Sequence, residues 1–400
     1  MTRRPPGRRA HAAFALATAL LVAQAGAALA GPASTTSFTF RDVPQGYWAG
    51  RAIQTVAVLH PWMRDFGTSY FKPKAVETRK RLARAVVRAF APSVKPDPKV
   101  TFGDMTADDP FFSFAVVAVQ LGWMRTFGPD HDFRPDNPVT TLVVHRALVF
   151  ALGLKDVVHG INAIHATDGY KFKHPGGLGV MLAGMLLGFR YDHDDNSLDV
   201  GPKTKLPRSE VAWSLYRAYV ADTSESWRKS SLLPYETIQL GPVPVQLRQV
   251  VQFGLRYVGY PYVYAGEWNT ASPPGYCCGY QSRGGFDCSG LMWWVMKAPQ
   301  SGYDNTRVRP YRGWSLPQRS SADMATAILK AQRLTSREVR AGDLRFYDGD
   351  GNGTIDHVDL ALGHGWALDS SNGTGGVIVV RIASGWYADH FKWGRDIIHG

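Results

Sequence analysis

Hydrophobic and polar positions follow two different rhythms along the chain. In the first half, apolar residues recur at helical spacing, as in the stretch 76–90, which predicts amphipathic helices. In the last third, the run 357–362 alternates between polar and apolar residues, which predicts a strand. The Gly-His-Gly sequence at 363–365 predicts a hairpin turn into a return strand that contains Asp369. The pattern therefore indicates a helical region followed by an α+β region.

A weak internal repeat organises the helical region. The sequence F-R-D-V at 40–43 recurs as F-G-D-M at 102–105, and each copy is followed by an apolar helix and an F-x-P turn, at 71–73 and 133–135. A second helix then closes each unit. A third, more degenerate copy has its helices near 178–187 and 211–220. Repeats of this kind predict similar helix–loop–helix units that pack against one another.

These units resemble the S-layer homology (SLH) module, over residues 38–221 with units at about 38–95, 100–155 and 160–221. The T-R-A-E helix start of that family survives in part as T-R-K-R at 78–81 and P-R-S-E at 207–210, whereas the second unit lacks the arginine. The resemblance implies an all-α three-repeat domain that binds anionic wall polysaccharide. The predicted polymer-binding residues are Arg79, Arg208 and Trp48. A solvated basic helix face is the alternative interpretation of the positive charge in this region.

The first 30 residues predict export. Four arginines precede an apolar run from 12 to 30 that ends in Ala-Leu-Ala, which is the pattern of a cleavable signal peptide, with a membrane anchor as the alternative. After cleavage, we expect no transmembrane anchor. The chain of 400 residues has a net charge of +12 and only 3 Cys, which excludes a disulfide-stapled mini-protein and favours anionic partners. The export signal and the positive charge together predict a secreted, wall-associated protein. No nucleic-acid motif is present, so we expect no nucleic-acid partner.

A change in composition separates two regions. Residues 222–245 lack clear periodicity and predict a linker, and a second domain is expected over 246–400. In that domain, Asp287 is a good N-cap for an apolar helix, which places Cys288 in the first helical turn. The dipole and free N–H groups of a helix start favour a thiolate over a thiol, as a nucleophilic cysteine requires. Cys288 is therefore the candidate nucleophile.

A base and a third polar residue lie downstream of this cysteine. The predicted hairpin around residue 364 brings the His357 and Asp369 regions alongside each other. A cysteine at a helix start, a histidine on a strand and a carboxylate on the next strand form a Cys-His-Asp triad. His364, at the turn itself, is expected to be exposed and is a poor candidate for the base.

This order and spacing resemble the NlpC family of cell-wall cysteine peptidases. The four matching blocks are P-Y-V-Y-A-G at 261–266, G-F-D-C-S-G at 285–290, G-D-L-R-F-Y with H-V-D-L-A-L-G at 342–363, and W-Y-A-D-H-F-K-W at 386–393. The resemblance implies a papain-like α+β fold in which helices pack on an antiparallel sheet. It assigns Cys288 as nucleophile, His357 as base, Asp369 as the orienting residue and Tyr262 as a hydroxyl beside the nucleophile. Asp369 stands where histidine is usual, Ala265 replaces a glycine, and Asp359 replaces a small residue.

The resemblance also implies a substrate. It predicts a cysteine endopeptidase that acts on peptidoglycan stem peptides, commonly at the bond between γ-D-glutamate and a diamino acid. Asp287, Ser289 and Arg319 are the predicted substrate-binding residues. Two alternatives stay open: a non-catalytic wall-binding structural protein, and a papain-like amidase or acyltransferase.

One acidic loop adds a candidate metal site. Oxygen-bearing side chains stand at positions 1, 3, 5, 9 and 12 of the stretch 348–359, with glycine at position 6, as in a calcium-binding loop. The candidate ligands are Asp348, Asp350, Asn352, Asp356 and Asp359. A tight turn without an ion is the alternative. No cofactor is expected for catalysis, so calcium would be structural, and the oxidation state of Cys277 and Cys278 stays open.

Overall fold

The computed structural model describes residues 40–268, 284–297, 316 and 318–397 of the chain. Helices dominate its first 184 described positions, up to residue 223. They are α1 (Gly50–Ile53), continued by a π-helix (Gln54–Leu59) and a 3-10 turn (Pro61–Met63), α2 (Arg79–Phe90), α3 (Phe112–Gln120), α4 (Thr141–Ala151), α5 (Lys155–Asn162), α6 (Leu178–Leu186) and α7 (Arg208–Thr223). A short 3-10 turn, Asn196–Leu198, precedes α7. Helices α2, α6 and α7 lie where the periodicity predicts helices, whereas α5 was not expected.

The same carboxylate contact closes the first two units. Asp42 accepts hydrogen bonds from the backbone N–H groups of Phe71 (2.9 Å) and Lys72 (2.7 Å). Asp104 accepts the equivalent pair from the second F-x-P turn, at 2.7 Å each. The aspartate of each F-x-D motif thus holds the turn that precedes the second helix of its unit. This contact gives the sequence motif a structural reason.

The three units meet in a ring at the starts of their second helices. Isolated β-bridges join the units in pairs: Val76 with Pro207, Thr78 with Pro138, and Thr140 with Lys205. Apolar faces of α2, α4 and α7 then point into one shared core. The helix–loop–helix organisation expected from the repeat is therefore present, whereas the assignment of these units to the SLH module stays a prediction.

Two arginines lie inside this ring. Arg208 is fully buried, donates to the carbonyls of Phe71 (2.8 Å) and Met63 (2.8 Å), and pairs with the Glu77 carboxylate at 2.5 Å. Arg79 is equally enclosed and donates to the carbonyl of Phe133 at 2.7 Å. Both guanidinium groups therefore join neighbouring units, which corrects the prediction that Arg79 and Arg208 face a wall polymer.

The segment 222–245 is folded and packs against both regions. It contains α8 (Trp227–Ser230), a 3-10 turn (Leu233–Thr237) and strand β2 (Gln239–Leu240), which pairs in parallel with β1 (His165–Ala166). The hydroxyl of buried Tyr235 donates to the carbonyl of Val379 (3.1 Å), and the N–H of Gly241 donates to that of Leu362 (3.0 Å). The expectation of an irregular linker is therefore wrong, because apolar and backbone contacts hold this segment in place.

An antiparallel sheet forms the centre of the C-terminal region. Its five strands are ordered β8 (Gly376–Arg381), β7 (Trp366–Ser371), β6 (His357–Gly363), β5 (Leu344–Tyr347) and β9 (Phe391–Arg395). The other elements are α9 (Val245–Leu255), β3 (Glu267–Trp268), β4 (Gly285–Phe286), α10 (Cys288–Lys297), α11 (Ser321–Thr326), 3-10 turns at Lys330–Gln332 and Asn372–Thr374, and α12 (Trp386–Asp389). The register pairs Tyr347 with His357 on β5 and β6.

Helix α10 packs against this sheet and carries the candidate nucleophile at its first residue. Its apolar side chains Leu291, Met292 and Val295 are fully buried, and this burial fixes the helix start relative to β6 and β7. Within the described ranges, no helix combines the length and the hydropathy that a bilayer crossing requires.

We expect Arg208→Ala to destabilise the helical ring by about 3–5 kcal/mol, because it leaves the buried Glu77 carboxylate without its cation. Urea unfolding followed by circular dichroism measures this loss. Lys74→Ala, at an exposed position of the same region, is the matched control and should change the free energy of unfolding by less than about 0.5 kcal/mol. An Arg208→Ala protein as stable as the control would contradict the structural role of this arginine.

Candidate active site

Cys288 begins helix α10, and Asp287 caps that helix as expected from the sequence. The Asp287 carboxylate accepts hydrogen bonds from the backbone N–H of Gly290 (2.5 Å) and from the hydroxyl of Ser289 (3.1 Å). An N-cap of this kind satisfies donors that a helix start leaves unpaired. The thiol of Cys288 is buried and its sulfur lies 3.9 Å from the backbone carbonyl oxygen of Asp356.

A tight backbone contact fixes the position of this helix start. The N–H of Asp287 donates to the carbonyl of Gly266 at 3.0 Å. A Cβ atom on Gly290 would overlap that same carbonyl oxygen, so only glycine allows the helix to approach the 263–266 turn this closely. The nucleophile is therefore positioned by backbone packing as well as by the cap.

Arg319 reinforces the same contact from the other side. Its guanidinium donates to the hydroxyl of Ser289 (2.8 Å), the carbonyl of Gly266 (3.1 Å) and the carboxylate of Asp287 (3.2 Å). Only 6% of Arg319 is exposed. The structure therefore corrects the prediction that Arg319 binds substrate, since this side chain is used to hold the loop and the helix start together. Ser289 is buried in the same network.

His357 opens strand β6 and lies between the nucleophile and a carboxylate. Its Nε2 atom is 3.0 Å from Oδ1 of Asp369, which lies on the neighbouring strand β7. Cys288 is close enough for its charge to act on the His357 imidazole. Because Nε2 faces Asp369, Nδ1 is the ring nitrogen left for the thiol. The structure thus brings together the three residues that the sequence predicted as a triad.

The neighbouring groups determine the charge of this imidazole. Burial alone would lower the pKa of His357, but Asp369 and Cys288 act against burial and raise this pKa well above its ordinary value. The arrangement therefore favours an imidazolium beside the sulfur. A protonated imidazole in this place can donate its proton to a leaving group.

Asp369 is itself held by a partner that the sequence did not reveal. The hydroxyl of Tyr387, on α12, donates to Oδ2 of Asp369 at 2.6 Å. The next residue, Ser370, donates from its hydroxyl to the carbonyl of Phe286 at 2.7 Å, which connects β7 to the strand that precedes the nucleophile. Tyr387 belongs to the closing aromatic block of the sequence, and its place in that block was the available signal.

Asp359 lies on the same strand as His357 and not in the acidic loop. It is fully buried in β6 and accepts a hydrogen bond from the hydroxyl of Tyr347. Burial raises the pKa of Asp359 to about 7, so the carboxyl carries only part of a charge at neutral pH. It also lies opposite Arg345 in the sheet. Asp359 is therefore part of the sheet beneath the triad and is not a ligand of the acidic loop.

Tyr262 is near enough to Cys288 and Asp287 for their charges to act on its phenol. Burial, followed by the charge of Cys288 and that of Asp287, raises the pKa of the Tyr262 phenol. The phenol therefore remains protonated at neutral pH and can act as a hydrogen-bond donor. Its backbone N–H is bonded to the carbonyl of Gly375 at 3.0 Å, which holds the residue beside strand β8.

The acidic loop brings three of its five predicted ligands together. One carboxylate oxygen from each of Asp348, Asp350 and Asp356 lies within 4.8 Å of the others. The Asn352 side-chain oxygen accepts the N–H of Thr354 at 2.7 Å. Cys277 and Cys278 lie outside the described residues, so the oxidation state of these two cysteines stays open.

Comparison with known proteins agrees with this geometry. Residues 259–395 match the model of the NlpC/P60 family. This region is therefore similar to the NlpC/P60 family. Its helices and antiparallel sheet have the papain-like fold that the sequence resemblance implied. The N-terminal helical units lie outside the matched residues.

Two curated relatives illustrate the likeness. Murein DD-endopeptidase MepH of Escherichia coli is 25% identical over 144 residues, which is 36% of this chain and 43% of the relative. A gamma-D-glutamyl-L-lysine dipeptidyl-peptidase of Bacillus cereus is 23% identical over 201 residues, which is 50% of this chain and 51% of the relative. The chain thus spans about half the length of these relatives, or less.

A solved structure of an NlpC/P60 family protein from Bacillus cereus is also similar. Its sequence identity is 22%, the alignment covers 39% of this chain and 41% of that chain, and the TM-score is 0.28.

We expect Asp369→Asn to lower the pKa of His357, because the substitution removes the carboxylate charge that raises this pKa. Histidine Cε1–H signals followed by NMR across a pH series measure the change. The wild-type imidazole should stay protonated through neutral pH, whereas in the variant it should lose its proton at lower pH. The signals of the histidines in the helical ring are the internal control. An unchanged titration of His357 would show that Asp369 does not set its charge.

Proposed function

We propose that the protein is a secreted, wall-associated peptidoglycan hydrolase that cleaves an amide bond of stem peptides through Cys288. The observation that carries this proposal is the grouping of Cys288, His357 and Asp369, in which the imidazole lies 3.0 Å from the carboxylate and the charges of Asp369 and Cys288 raise its pKa. A nucleophile with a base that is oriented by a third group is the arrangement of covalent acyl transfer. The NlpC/P60 match supports the same chemistry.

The residues have separate roles in the reaction. The sulfur of Cys288 attacks the peptide carbonyl, and His357 protonates the leaving amine, so that a thioester and a free amine form. Water then attacks the thioester with His357 as the general base, which releases the acid and restores the thiol. The backbone N–H at the start of α10 is positioned to stabilise the oxyanion, and protonated Tyr262 is a second donor beside the sulfur.

The preferred bond in this proposal joins γ-D-glutamate to a diamino acid. The support is the gamma-D-glutamyl-L-lysine dipeptidyl-peptidase among the similar proteins. Murein DD-endopeptidase MepH, which is also similar, makes a D,D bond the alternative within the same reaction type. Both bonds are amides, so the proposed chemistry of Cys288 is the same in each case.

Digestion of purified muropeptides, read by mass spectrometry, tests the reaction. We expect the wild type to release peptide fragments and Cys288→Ala to lose at least about 1,000-fold in rate, because the covalent step disappears. His364→Asn, at the exposed hairpin turn with positive φ, is the matched control and should keep wild-type activity, since asparagine tolerates this backbone conformation.

The fragment masses identify the cleaved bond. Equal turnover by the wild type and Cys288→Ala would contradict the thiol mechanism. No turnover of any muropeptide by the wild type would favour a non-catalytic wall protein, and turnover of other amides alone would favour an amidase or acyltransferase.

The proposal also includes retention at the wall by the helical units. Trp48 is half-buried and belongs to an aromatic cluster on these units, with ring centroids 4.5 Å from Tyr191, 4.6 Å from His193 and 6.4 Å from Trp213. Partly exposed aromatic rings offer an apolar face with polar edges, which suits contact with sugar rings. This cluster is now the best-supported polymer-binding candidate, because Arg79 and Arg208 are enclosed.

Co-sedimentation with purified cell walls tests this part. We expect Trp48→Ala to bind about fivefold more weakly than the wild type, since loss of one aromatic contact costs about 1 kcal/mol. Trp227→Ala is the matched control, because Trp227 is 60% exposed and lies on α8, outside the cluster. Melting curves of both variants establish that each is folded. Equal sedimentation of Trp48→Ala and wild type would remove the cluster from the wall contact.

A further inference from the structure

The acidic loop between β5 and β6 is not needed by the chemistry proposed above, yet it is built around a point of high negative charge. Oxygen atoms of Asp348, Asp350 and Asp356 lie within 4.8 Å of one another. Three carboxylates this close repel each other unless a cation lies between them. The buried carboxylate of Asp348 distinguishes this loop from an ordinary surface cluster of acidic residues.

The decisive atom is Oδ1 of Asp348. The Asp348 side chain is only 3% exposed. Its Oδ2 accepts the N–H of Gly353 at 3.0 Å and lies 3.4 Å from the Lys392 ammonium. Its Oδ1 is buried, and no hydrogen-bond donor among the described residues reaches it. A buried carboxylate oxygen without a donor is costly, and a bound cation would supply the missing partner.

The backbone of the loop is arranged around the same point. Gly353, the sixth residue counted from Asp348, has φ +87°, which is a conformation that glycine adopts without strain. The side chain of Asp350 accepts the N–H of Asn352 at 3.1 Å, and that of Asp356 accepts the N–H of Gly349 at 2.9 Å. The Asn352 side-chain amide also donates to Asp350 at 2.7 Å, and the N–H of Asp350 donates to Asp356 at 3.3 Å. These bonds fix where the carboxylates lie, and a carboxylate oxygen with more than one lone pair can accept a hydrogen bond and coordinate an ion together. A glycine at the sixth position is also the rule in helix-flanked calcium loops.

We propose that Asp348, Asp350 and Asp356 bind a calcium ion, with the side-chain oxygen of Asn352 as a further ligand. Calcium takes six to eight oxygen ligands in flexible geometry, which suits carboxylates on a loop, whereas magnesium requires a strict octahedron. Asp359 supplies no ligand because Tyr347 and the sheet hold it. The site therefore lacks the bidentate carboxylate of the twelfth position, and we expect a Kd on the order of 10⁻⁴–10⁻³ M, as in extracellular modules.

The site would also act on the catalytic centre. Asp356 directly precedes His357, and its backbone carbonyl lies 3.9 Å from the sulfur of Cys288. Its N–H donates to the carbonyl of Tyr347 at 3.0 Å. A calcium ion held by the Asp356 side chain would fix the backbone that positions both catalytic groups. This coupling rests on the proposed function, whereas the binding site does not.

Ion binding is measured first, on the full-length Cys288→Ala protein, so that its outcome is independent of catalysis. Trp386 packs against the loop at Gly349, so it should sensitise the luminescence of bound Tb³⁺, a calcium substitute. We expect Ca²⁺ to displace Tb³⁺, and about 10 mM Ca²⁺ to raise the melting temperature by about 3 °C. Mg²⁺ at the same concentration should have little effect.

Asp350→Asn is the test variant, because Asp350 is exposed and we expect an isosteric change at an exposed position to leave the fold intact. We expect it to weaken Ca²⁺ binding at least tenfold. Asp156→Asn is the matched control, since its side chain is 85% exposed on α5 and lies outside the loop. An absent melting shift and absent Tb³⁺ luminescence in the Cys288→Ala protein, or an equal response of Asp350→Asn and the control, would overturn the site. An equal response to Mg²⁺ would overturn its assignment to calcium.

The effect of calcium binding on catalysis is measured last. Muropeptide turnover is compared with Ca²⁺ and with a chelator, in proteins that retain Cys288. We expect chelation to reduce turnover severalfold in the wild type and to have little effect in Asp350→Asn, which should be slow in both conditions. Binding of Ca²⁺ with unchanged turnover would overturn the coupling and leave the site. Absent turnover in every condition would concern the proposed hydrolase activity and not the ion.

Discussion

The approach of the Asp369 carboxylate to the His357 imidazole is the contact on which the candidate catalytic centre depends. It places a charge 3.0 Å from Nε2 and leaves the other ring nitrogen for Cys288. A carboxylate in this place fixes both the orientation and the protonation of the ring. Strand register, the Tyr387 hydroxyl and the cap of α10 all serve to hold the three groups within reach of one another. Each of these supports lies on a different element of the fold.

In the helical ring, buried charged side chains also hold neighbouring elements in place. Arg208 and Arg79 begin their helices, but their guanidinium groups are directed inwards to carbonyls of neighbouring units. A planar group with five donors can satisfy several carbonyls and a carboxylate at once. Such a group suits the junction of loops whose carbonyls would otherwise lie buried without partners. The arginine of the repeat motif is thus explained by packing between units.

The sequence predicted that Cys288, His357 and Asp369 lie together because the signal was local: a cap, an alternating strand and a hairpin turn place them on adjacent elements. It could not predict the role of Arg319, since a basic residue in a polar stretch has no local pattern that distinguishes a buried clamp from a substrate contact. Nor could it separate Asp359 from the acidic loop. That distinction depends on Tyr347, whose hydroxyl reaches Asp359 only once β5 and β6 pair. The roles of Arg319 and Asp359 therefore depend on partners that are distant in the sequence, which local sequence patterns do not reveal.

The ordered segment 222–245 has a consequence for how the molecule would work on a polymer. Tyr235 is bonded to Val379, and Arg190 of the helical region donates to the carbonyl of Gly259, at 3.1 Å each. Because these hydrogen bonds join the two regions directly, we expect the helical ring and the candidate active site to stay at one distance from each other. For the proposed wall-bound hydrolase, these contacts would limit cleavage to bonds at a set distance from the attachment point, because that distance would follow from the dimensions of the folded regions and not from the length of a linker.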